Sequence, residues 1–150
     1  MPYLSIATSV GPVTVFEEDD AIVVVEFGRA PDGDETPLLV QARAQIDAFF
    51  DGQLRRFSLP LRPKGSPFHQ RAWGALCAIP YGQTRTYGDI ARMIGSTARA
   101  VGGACAGNPI PILIPCHRVV GAGGRLTGYS GGEGVETKLA LLRLEGASML

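Results

Sequence analysis

The sequence of 150 residues contains few cysteines, histidines and tryptophans: three, two and one. Cys77, Cys105 and Cys116 are too few for a disulfide framework, and an odd, sparse count is typical of a reducing compartment. The cysteines and histidines lack the paired spacing of a zinc site, so we expect no metal. Neither a long apolar run nor a secretory signal is present, so we expect a cytoplasmic protein without membrane contact.

The formal net charge is zero, because 14 Lys and Arg residues balance 14 Asp and Glu residues. The acidic and basic residues are nevertheless unevenly distributed. Residues 1–54 carry ten acidic and two basic side chains, whereas residues 55–128 carry ten basic side chains and a single acid, Asp89. This asymmetry indicates a middle segment that binds a polyanion. A solvated basic surface is the alternative, because basic residues spread along a sequence need not share one face.

Residues 1–61 predict a small α+β domain. Short β-prone runs alternate with turn residues, and apolar side chains recur at helical spacing from Leu38 to Phe50. Residues 62–65, Arg-Pro-Lys-Gly, form a candidate linker. The β-prone runs lie at residues 3–9, 12–17, 21–27 and 57–61.

Residues 66–150 predict a second, mainly helical domain. Ser66 followed by proline is a helix start. Thr86 is a candidate cap for a short helix from Tyr87 to Ile94 that Gly95 ends, and Ser96 or Thr97 is a candidate start for a second one. Two short helices around a glycine-containing turn at about 87–104 predict a helix-turn-helix. A final helix is expected from about Glu133 to Glu145. The fold class is therefore α/β in the α+β sense, with a sheet-and-helix domain beside a helical one. The core residues expected from the final helix are Val135, Leu139, Leu142 and Leu144.

The strongest functional signal lies in residues 108–120, Asn-Pro-Ile-Pro-Ile-Leu-Ile-Pro-Cys-His-Arg-Val-Val. Three prolines favour a rigid, extended, non-helical segment. His117 and Arg118 favour the thiolate, so Cys116 is a candidate nucleophile. Neighbouring side chains point to opposite faces of an extended backbone, so His117 is expected to reach the thiol through a water or a turn. A buried structural cysteine is the alternative, and we favour it for the other two cysteines.

The segment Ala98–Ala104 is a helix rich in Ala and Gly, with Arg99 as its one large polar side chain. Gly102 and Gly103 weaken a helix, which the close approach of another backbone or of a DNA groove would explain. Arg99 is a candidate for contact with phosphates or for insertion into the base stack.

Two more features are weaker by themselves. The loop Gly128-Tyr129-Ser130-Gly131-Gly132 permits close approach of a ligand, although a structural turn is an equally good interpretation. Glu145 lies at the end of a predicted helix, where a negative charge opposes the helix dipole. Pairing with a histidine would explain this position, and a solvated surface glutamate is the alternative.

Together these motifs resemble the O6-alkylguanine-DNA alkyltransferases, or methylated-DNA–protein-cysteine methyltransferases. The resemblance covers about residues 66–146. Its most specific part is the sequence Pro-Cys-His-Arg together with the apolar residues that precede it. It implies DNA repair by direct, irreversible, stoichiometric transfer of an alkyl group, typically methyl, from O6-alkylguanine to Cys116. This is the single-turnover activity EC 2.1.1.63. It implies a monomer without a cofactor that binds double-stranded DNA in the minor groove and flips the damaged base out of the helix.

The resemblance also implies roles for individual residues. His117 acts as a base through a water, and Glu145 orients its ring. Tyr87 helps to rotate the nucleotide and donates a proton to the leaving guanine, while Arg99 fills the vacated stack. Asn108 ties the recognition helix to the active-site segment. The DNA-binding residues would be Tyr87, Arg99, Ala100, Gly102 and Gly103, and the base pocket would contain Val119, Tyr129 and Ser130.

The sequence is also compatible with two rival functions. A non-catalytic lesion sensor or helix-turn-helix regulator would use the same DNA-binding elements, although the related alkyltransferase-like proteins lack the cysteine that is present here. A cysteine hydrolase would use the thiol for turnover, but the sequence offers no evident oxyanion loop.

Overall fold

The structure, a computed structural model, describes residues 1–147. Over this range the chain is a mixed α+β protein, which confirms the predicted fold class. No helix within residues 1–147 has the length and apolar character needed to cross a membrane. The α-helices are α1 (Pro37–Phe50), α2 (Pro67–Cys77), α3 (Tyr87–Ile94), α4 (Ala98–Ala106) and α5 (Val135–Leu144). The strands are β1 (Tyr3–Ile6), β2 (Val13–Glu18), β3 (Ala21–Phe27), β4 (Arg85–Thr86) and β5 (Val119–Val120).

The N-terminal part is an antiparallel sheet in the order β1-β2-β3, against which α1 packs. Thr36 begins α1 by accepting a hydrogen bond from the Leu39 amide. The predicted strand at 57–61 is wrong, because only Leu61 makes an isolated bridge to β3. Pro60 has no amide hydrogen, so the segment cannot continue a regular ladder.

The second part follows the predicted caps closely. Ser66 caps α2, and Thr86 and Asp89 form a reciprocal capping box at the start of α3. Gly95 ends α3 in the left-handed conformation, with φ of 68°. Thr97 caps α4, so α3 and α4 pack as two short helices around a tight turn. These caps fix where Tyr87 and the residues of α4 lie.

The final helix is shorter than predicted. It begins at Val135, because Gly134 with φ of 65° precedes it, and it ends at Leu144. Val135 is 41% exposed and does not belong to the core, whereas Leu141 and Leu142 are fully buried. Glu145 is the C-cap, and Gly146 follows it with φ of 70°.

Two connections bring distant segments together at one place. The parallel pair β4·β5 sets the start of α3 beside the residues that follow Cys116. The Val25 amide of β3 donates to the Pro109 carbonyl at 2.9 Å, which joins the N-terminal sheet to the segment that leads to Cys116. A site that includes Tyr87 and Cys116 therefore rests on both halves of the chain.

Candidate active site

The segment before Cys116 is held by a side-chain clamp. The Asn108 amide nitrogen donates to the Ile114 carbonyl, and its side-chain oxygen accepts from the Ile110 amide, each at 2.9 Å. The Asn108 backbone amide also donates to Cys105 of α4 at 3.2 Å. Between these contacts Ile112 has φ of 74°, an unfavourable conformation for a β-branched residue. The clamp and the burial of Ile112 stabilise this turn and fix the approach to the cysteine.

The backbone at the cysteine is not extended, so that part of the prediction is wrong. Cys116–Arg118 form one 3₁₀ turn, in which the Val119 amide donates to the Cys116 carbonyl. Proline restricts its own φ and the residue before it, so Pro115 leaves the residues that follow free to turn. Consecutive side chains consequently do not alternate between two faces here, and Cys116, His117 and Arg118 are all buried.

Glu145 is the hub of a buried network. Its Oε2 atom accepts from His117 Nε2 at 2.8 Å and from Arg118 Nη2 at 2.8 Å, while Oε1 accepts from Arg118 Nε at 2.9 Å. A further Arg118 nitrogen, Nη1, donates to the Ile79 carbonyl at 2.7 Å. The side chains of Glu145 and His117 are completely buried. The histidine partner considered for Glu145 is therefore confirmed, and the solvated alternative is wrong.

The network fixes the protonation of His117. Burial alone would raise the pKa of Glu145, but the hydrogen bonds from His117 and Arg118 hold it at about 2. Burial lowers the pKa of His117, and its bond to Glu145 only partly offsets this effect. His117 is thus neutral at neutral pH, and the ionised carboxylate, which only accepts, requires the proton on Nε2. Nδ1 carries the lone pair and has no protein partner among residues 1–147.

Arg118 does not assist the thiol, which corrects a second expectation. Its guanidinium is bound to Glu145 and Ile79, and it is not among the groups that lower the pKa of Cys116. Burial raises the pKa of the Cys116 thiol, whereas the Asn108 side chain and the charge of Lys138 lower it. The cation that favours the thiolate comes from α5 and not from the adjacent residue.

Lys138 is the functional candidate that sequence reasoning missed. It is 1% exposed, and its Nζ atom donates to the Thr127 carbonyl at 3.1 Å and lies 5.7 Å from the Tyr87 ring centroid. Burial lowers its pKa, and the thiols of Cys116 and Cys105 oppose that shift. The sequence did contain a signal for this role, since Lys138 lies three positions before Leu141 on the apolar face of the helix. Charged residues are rarely buried without a partner, so a lysine on that face indicates a specific contact.

Cys116 opens onto a cavity of about 360 Å³. Its walls come from α3, α4, the cysteine turn and the Gly-rich loop. Tyr129 is half-buried, and its hydroxyl has no hydrogen-bond partner in the part of the chain that the structure describes. The Tyr87 hydroxyl accepts from Thr127 Oγ1 at 3.3 Å. The lining residues are Tyr87, Gly102, Cys105, Ala106, Cys116, Gly128, Tyr129 and Ser130.

The structure thus places most of the predicted site residues around the Cys116 cavity or in the network beside it, while some predicted residues do not line the cavity. Val119 is fully buried in β5 behind the cavity. Arg99 and Gly103 are exposed on α4, and Ala100 is half-buried beside them. No group of three or more histidine, cysteine or acidic residues within residues 1–147 is arranged to hold a metal.

The other two cysteines differ from the buried core residues that we expected. Cys77 is exposed at the end of α2, and Cys105 is half-buried in the wall of the Cys116 cavity. Burial and the neighbouring Cys116 raise the pKa of Cys105 to about 12. The Cys105 thiol therefore stays protonated at neutral pH and is a weak nucleophile.

Two family models match the chain. The model described as "6-O-methylguanine DNA methyltransferase, DNA binding domain" matches residues 67–147, and "6-O-methylguanine DNA methyltransferase, ribonuclease-like domain" matches residues 1–63. Together the two matches cover nearly the whole chain.

Individual proteins agree with these matches. The methylated-DNA–protein-cysteine methyltransferase of Methanosarcina acetivorans is 40% identical over 157 residues, which cover 98% of this chain and 99% of the relative. The constitutive enzyme of that name from Bacillus subtilis is 41% identical and covers 95% and 94%. The crystal structure of Mycobacterium tuberculosis OGT in complex with DNA has a TM-score of 0.87 at 42% identity, over 97% of this chain and 93% of that one.

The buried carboxylate makes stability fall in acid. The folded pKa of Glu145 lies at about 2 and its ordinary value is 4.5, so stability that is present above pH 4.5 is lost as the pH falls toward 2. The lowered pKa of His117 adds a loss that begins below its ordinary value of 6.5. Urea denaturation between about pH 8 and about pH 3 measures this fall as a change in the free energy of unfolding.

Glu145→Gln tests the source of that fall. It leaves the Arg118 charge buried without its counterion, so we expect a loss of about 3–5 kcal/mol at neutral pH. The remaining stability should depend less on pH below 4.5. Glu136→Gln, exposed on the same helix, is the control. Equal losses in the two variants would contradict the network.

Lys138→Met should make Cys116 less reactive. Removal of the charge raises the pKa of the thiol, so the rate of carboxamidomethylation by iodoacetamide at fixed, mildly alkaline pH falls severalfold. Peptide-resolved mass spectrometry separates Cys116 from the other two thiols. Arg143→Met, exposed on the same helix, should leave the rate unchanged, and a similar fall in both variants would count against Lys138.

Proposed function

The chain belongs to the 6-O-methylguanine DNA methyltransferase family, and we propose that it repairs DNA by transferring the O6-alkyl group of guanine to Cys116. In this step the Cys116 sulfur forms a bond to the alkyl carbon while the bond from that carbon to O6 breaks. The electron pair goes to O6, and the released guanine takes up a proton. The S-alkylcysteine is stable, so each molecule acts once and the transfer is stoichiometric.

His117 and Glu145 prepare the nucleophile. Glu145 holds the proton on Nε2, which leaves Nδ1 as a base. Proton transfer from the thiol to Nδ1 through a water generates the thiolate. Glu145 then stabilises the charged ring in the same orientation. The positive charge of Lys138 also favours the thiolate.

The cavity beside the thiol takes the flipped base. Tyr129 forms an aromatic wall, and Ser130 offers a polar contact at the rim. The family resemblance assigns the main chain of Val119 to the base pocket as well, although the side chain is buried and does not line the cavity. Tyr87 also lines the cavity, and its hydroxyl donates a proton to the leaving guanine. Burial raises its pKa, so it keeps that proton at neutral pH.

DNA binds along α3 and α4 through its minor groove, with about residues 87–104 as the helix-turn-helix of a C-terminal domain, 66–150. Gly102 and Gly103 keep the surface of α4 small enough for close approach to the groove, and Ala100 adds to it. Arg99 is exposed on this helix and occupies the space that the flipped nucleotide leaves in the stack. Asn108 couples α4 to the cysteine segment.

The protein acts as a monomer in the cytoplasm. Large exposed apolar side chains within residues 1–147 are few and lie on different elements, which does not favour a subunit interface. The three cysteines are free thiols, which fits the reducing environment of the cytoplasm.

The proposed chemistry rests chiefly on one observation. That observation is the Cys116 thiol in the wall of a cavity, next to a buried histidine with its lone pair on Nδ1.

A methylation assay tests the proposal. The protein is mixed with a duplex that contains one O6-methylguanine, and its intact mass and peptide map are measured. We expect a gain of one methyl group, located on Cys116, and no gain for Cys116→Ser, which still binds the duplex. Tight binding of the lesion with unchanged mass would instead indicate a non-catalytic lesion sensor.

Arg99→Ala tests the DNA interface. Loss of the side chain that fills the stack should slow repair of O6-methylguanine more than it weakens binding to undamaged duplex, because base flipping costs a few kcal/mol. Single-turnover repair rates and binding isotherms at one salt concentration give the two quantities. Arg125→Ala, exposed outside α4, is the control. Equal losses of repair and binding in Arg99→Ala would contradict the role in the stack.

A further inference from the structure

One wall of the substrate cavity is supported from the other half of the chain. Phe27 lies at the end of β3 and is half-buried. Its ring meets the Tyr129 ring edge-on, with centroids 6.1 Å apart and an interplanar angle of 80°. This is a favourable geometry for two aromatic rings. Since Tyr129 lines the cavity at Cys116, Phe27 lies directly behind a substrate-facing side chain.

Phe27 also explains why the loop contains glycine. A Cβ atom on Gly131 would lie 2.2 Å from Phe27 Cε2 and 2.6 Å from Cδ2, closer than real Cβ atoms come. At Gly132, whose φ is 52°, a Cβ would lie 2.6 Å from Thr137 Oγ1 and 3.3 Å from Phe27 Cδ1. The loop backbone at Gly131 is thus packed against the Phe27 ring, and the ring occupies the space that a side chain at Gly131 would need.

The loop has little other support on this side. A cleft of about 710 Å³ lies between β3 and the loop, bordered by Phe27 and by residues 130–133. Within the loop, the Gly134 amide donates to the Gly131 carbonyl at 2.9 Å. The Glu133 amide donates to Thr137 Oγ1 of α5 at 2.8 Å, and Ser130 Oγ donates to the Ala106 carbonyl of α4 at 3.5 Å. These bonds tie the loop to the two helices, and the Phe27 ring is its aromatic contact with the N-terminal sheet.

We propose that Phe27 is a positioning residue for the alkyl-transfer reaction: its ring sets the Gly131-Gly132 backbone and the Tyr129 ring, and so the width of the base cavity. The N-terminal sheet is then part of the substrate pocket. This inference rests on the proposed function, because it assigns Tyr129 to the wall of the base pocket. Phe27 does not touch the substrate and acts through Tyr129.

Loss of the ring should impair the pocket without impairing the thiol. Phe27→Ala is expected to slow methyl transfer from an O6-methylguanine duplex by about tenfold, the scale of one lost aromatic contact. The reaction of Cys116 with iodoacetamide, a reagent much smaller than guanine, and the affinity for undamaged duplex should stay within about twofold, since neither requires a guanine to be held in the base pocket. Phe16→Ala is the control, because Phe16 is a half-buried aromatic residue of the same sheet that pairs with Tyr3.

A double substitution separates positioning from general stability. Gly131→Ala alone should slow transfer, because its Cβ overlaps the Phe27 ring. With Phe27→Ala the overlap is gone, so the double variant should transfer methyl faster than Gly131→Ala does and should unfold at a higher temperature. Phe27→Leu, which keeps apolar bulk without the ring, replaces Phe27→Ala in the same comparisons if that variant does not fold.

The outcomes are distinct. Transfer by the wild type, a specific loss in Phe27→Ala and recovery in the double variant support the inference. Equal transfer rates in Phe27→Ala and Phe16→Ala, or a double variant that is no faster than Gly131→Ala, overturn it while the proposed function stands. Absence of methyl transfer in the wild type overturns the proposed function itself, and the inference with it, even if thermal unfolding still shows coupling between Phe27 and Gly131.

Discussion

The carboxylate of Glu145 is the interaction on which the site depends. It is buried, and burial of a charge is unfavourable unless partners compensate it. His117 and Arg118 supply three hydrogen bonds, and both belong to the turn that begins with the nucleophile. One negative charge at the end of α5 therefore determines the tautomer of the base and anchors the turn. Arg118 balances the charge of Glu145, which allows His117 to stay neutral.

The rest of the site is assembled around that turn from elements that are far apart in sequence. Asn108 holds the approach to the turn in an unfavourable backbone conformation at Ile112, and α5 contributes the charge of Lys138. The small residues of α4 leave room for the cavity. The N-terminal sheet holds the Asn108 segment through one backbone bond and the Gly-rich loop through Phe27. A reactive thiol and a shaped pocket are thus maintained by different contacts.

Local signals predicted the helices well, because caps and glycine stops act within a few residues. Thr86 and Gly95 bound α3 as expected. The sequence also offered a histidine partner for Glu145 beside a solvated alternative, and the structure shows the partner to be His117. The orientation of Arg118 and the burial of Lys138 were not predictable, since each depends on a partner more than ten positions away. Periodicity likewise placed Val135 in the core, although Gly134 starts the helix in a position that leaves it exposed.

The central claim is that Glu145 fixes His117 as a neutral base with its lone pair on Nδ1. Nitrogen-15 NMR of histidine-labelled protein at neutral pH tests it directly, because protonated and unprotonated ring nitrogens resonate far apart. The account predicts a protonated Nε2 and an unprotonated Nδ1 for His117, with Glu145→Gln altering this pattern. A doubly protonated ring, or a proton on Nδ1 with Nε2 bare, would contradict it.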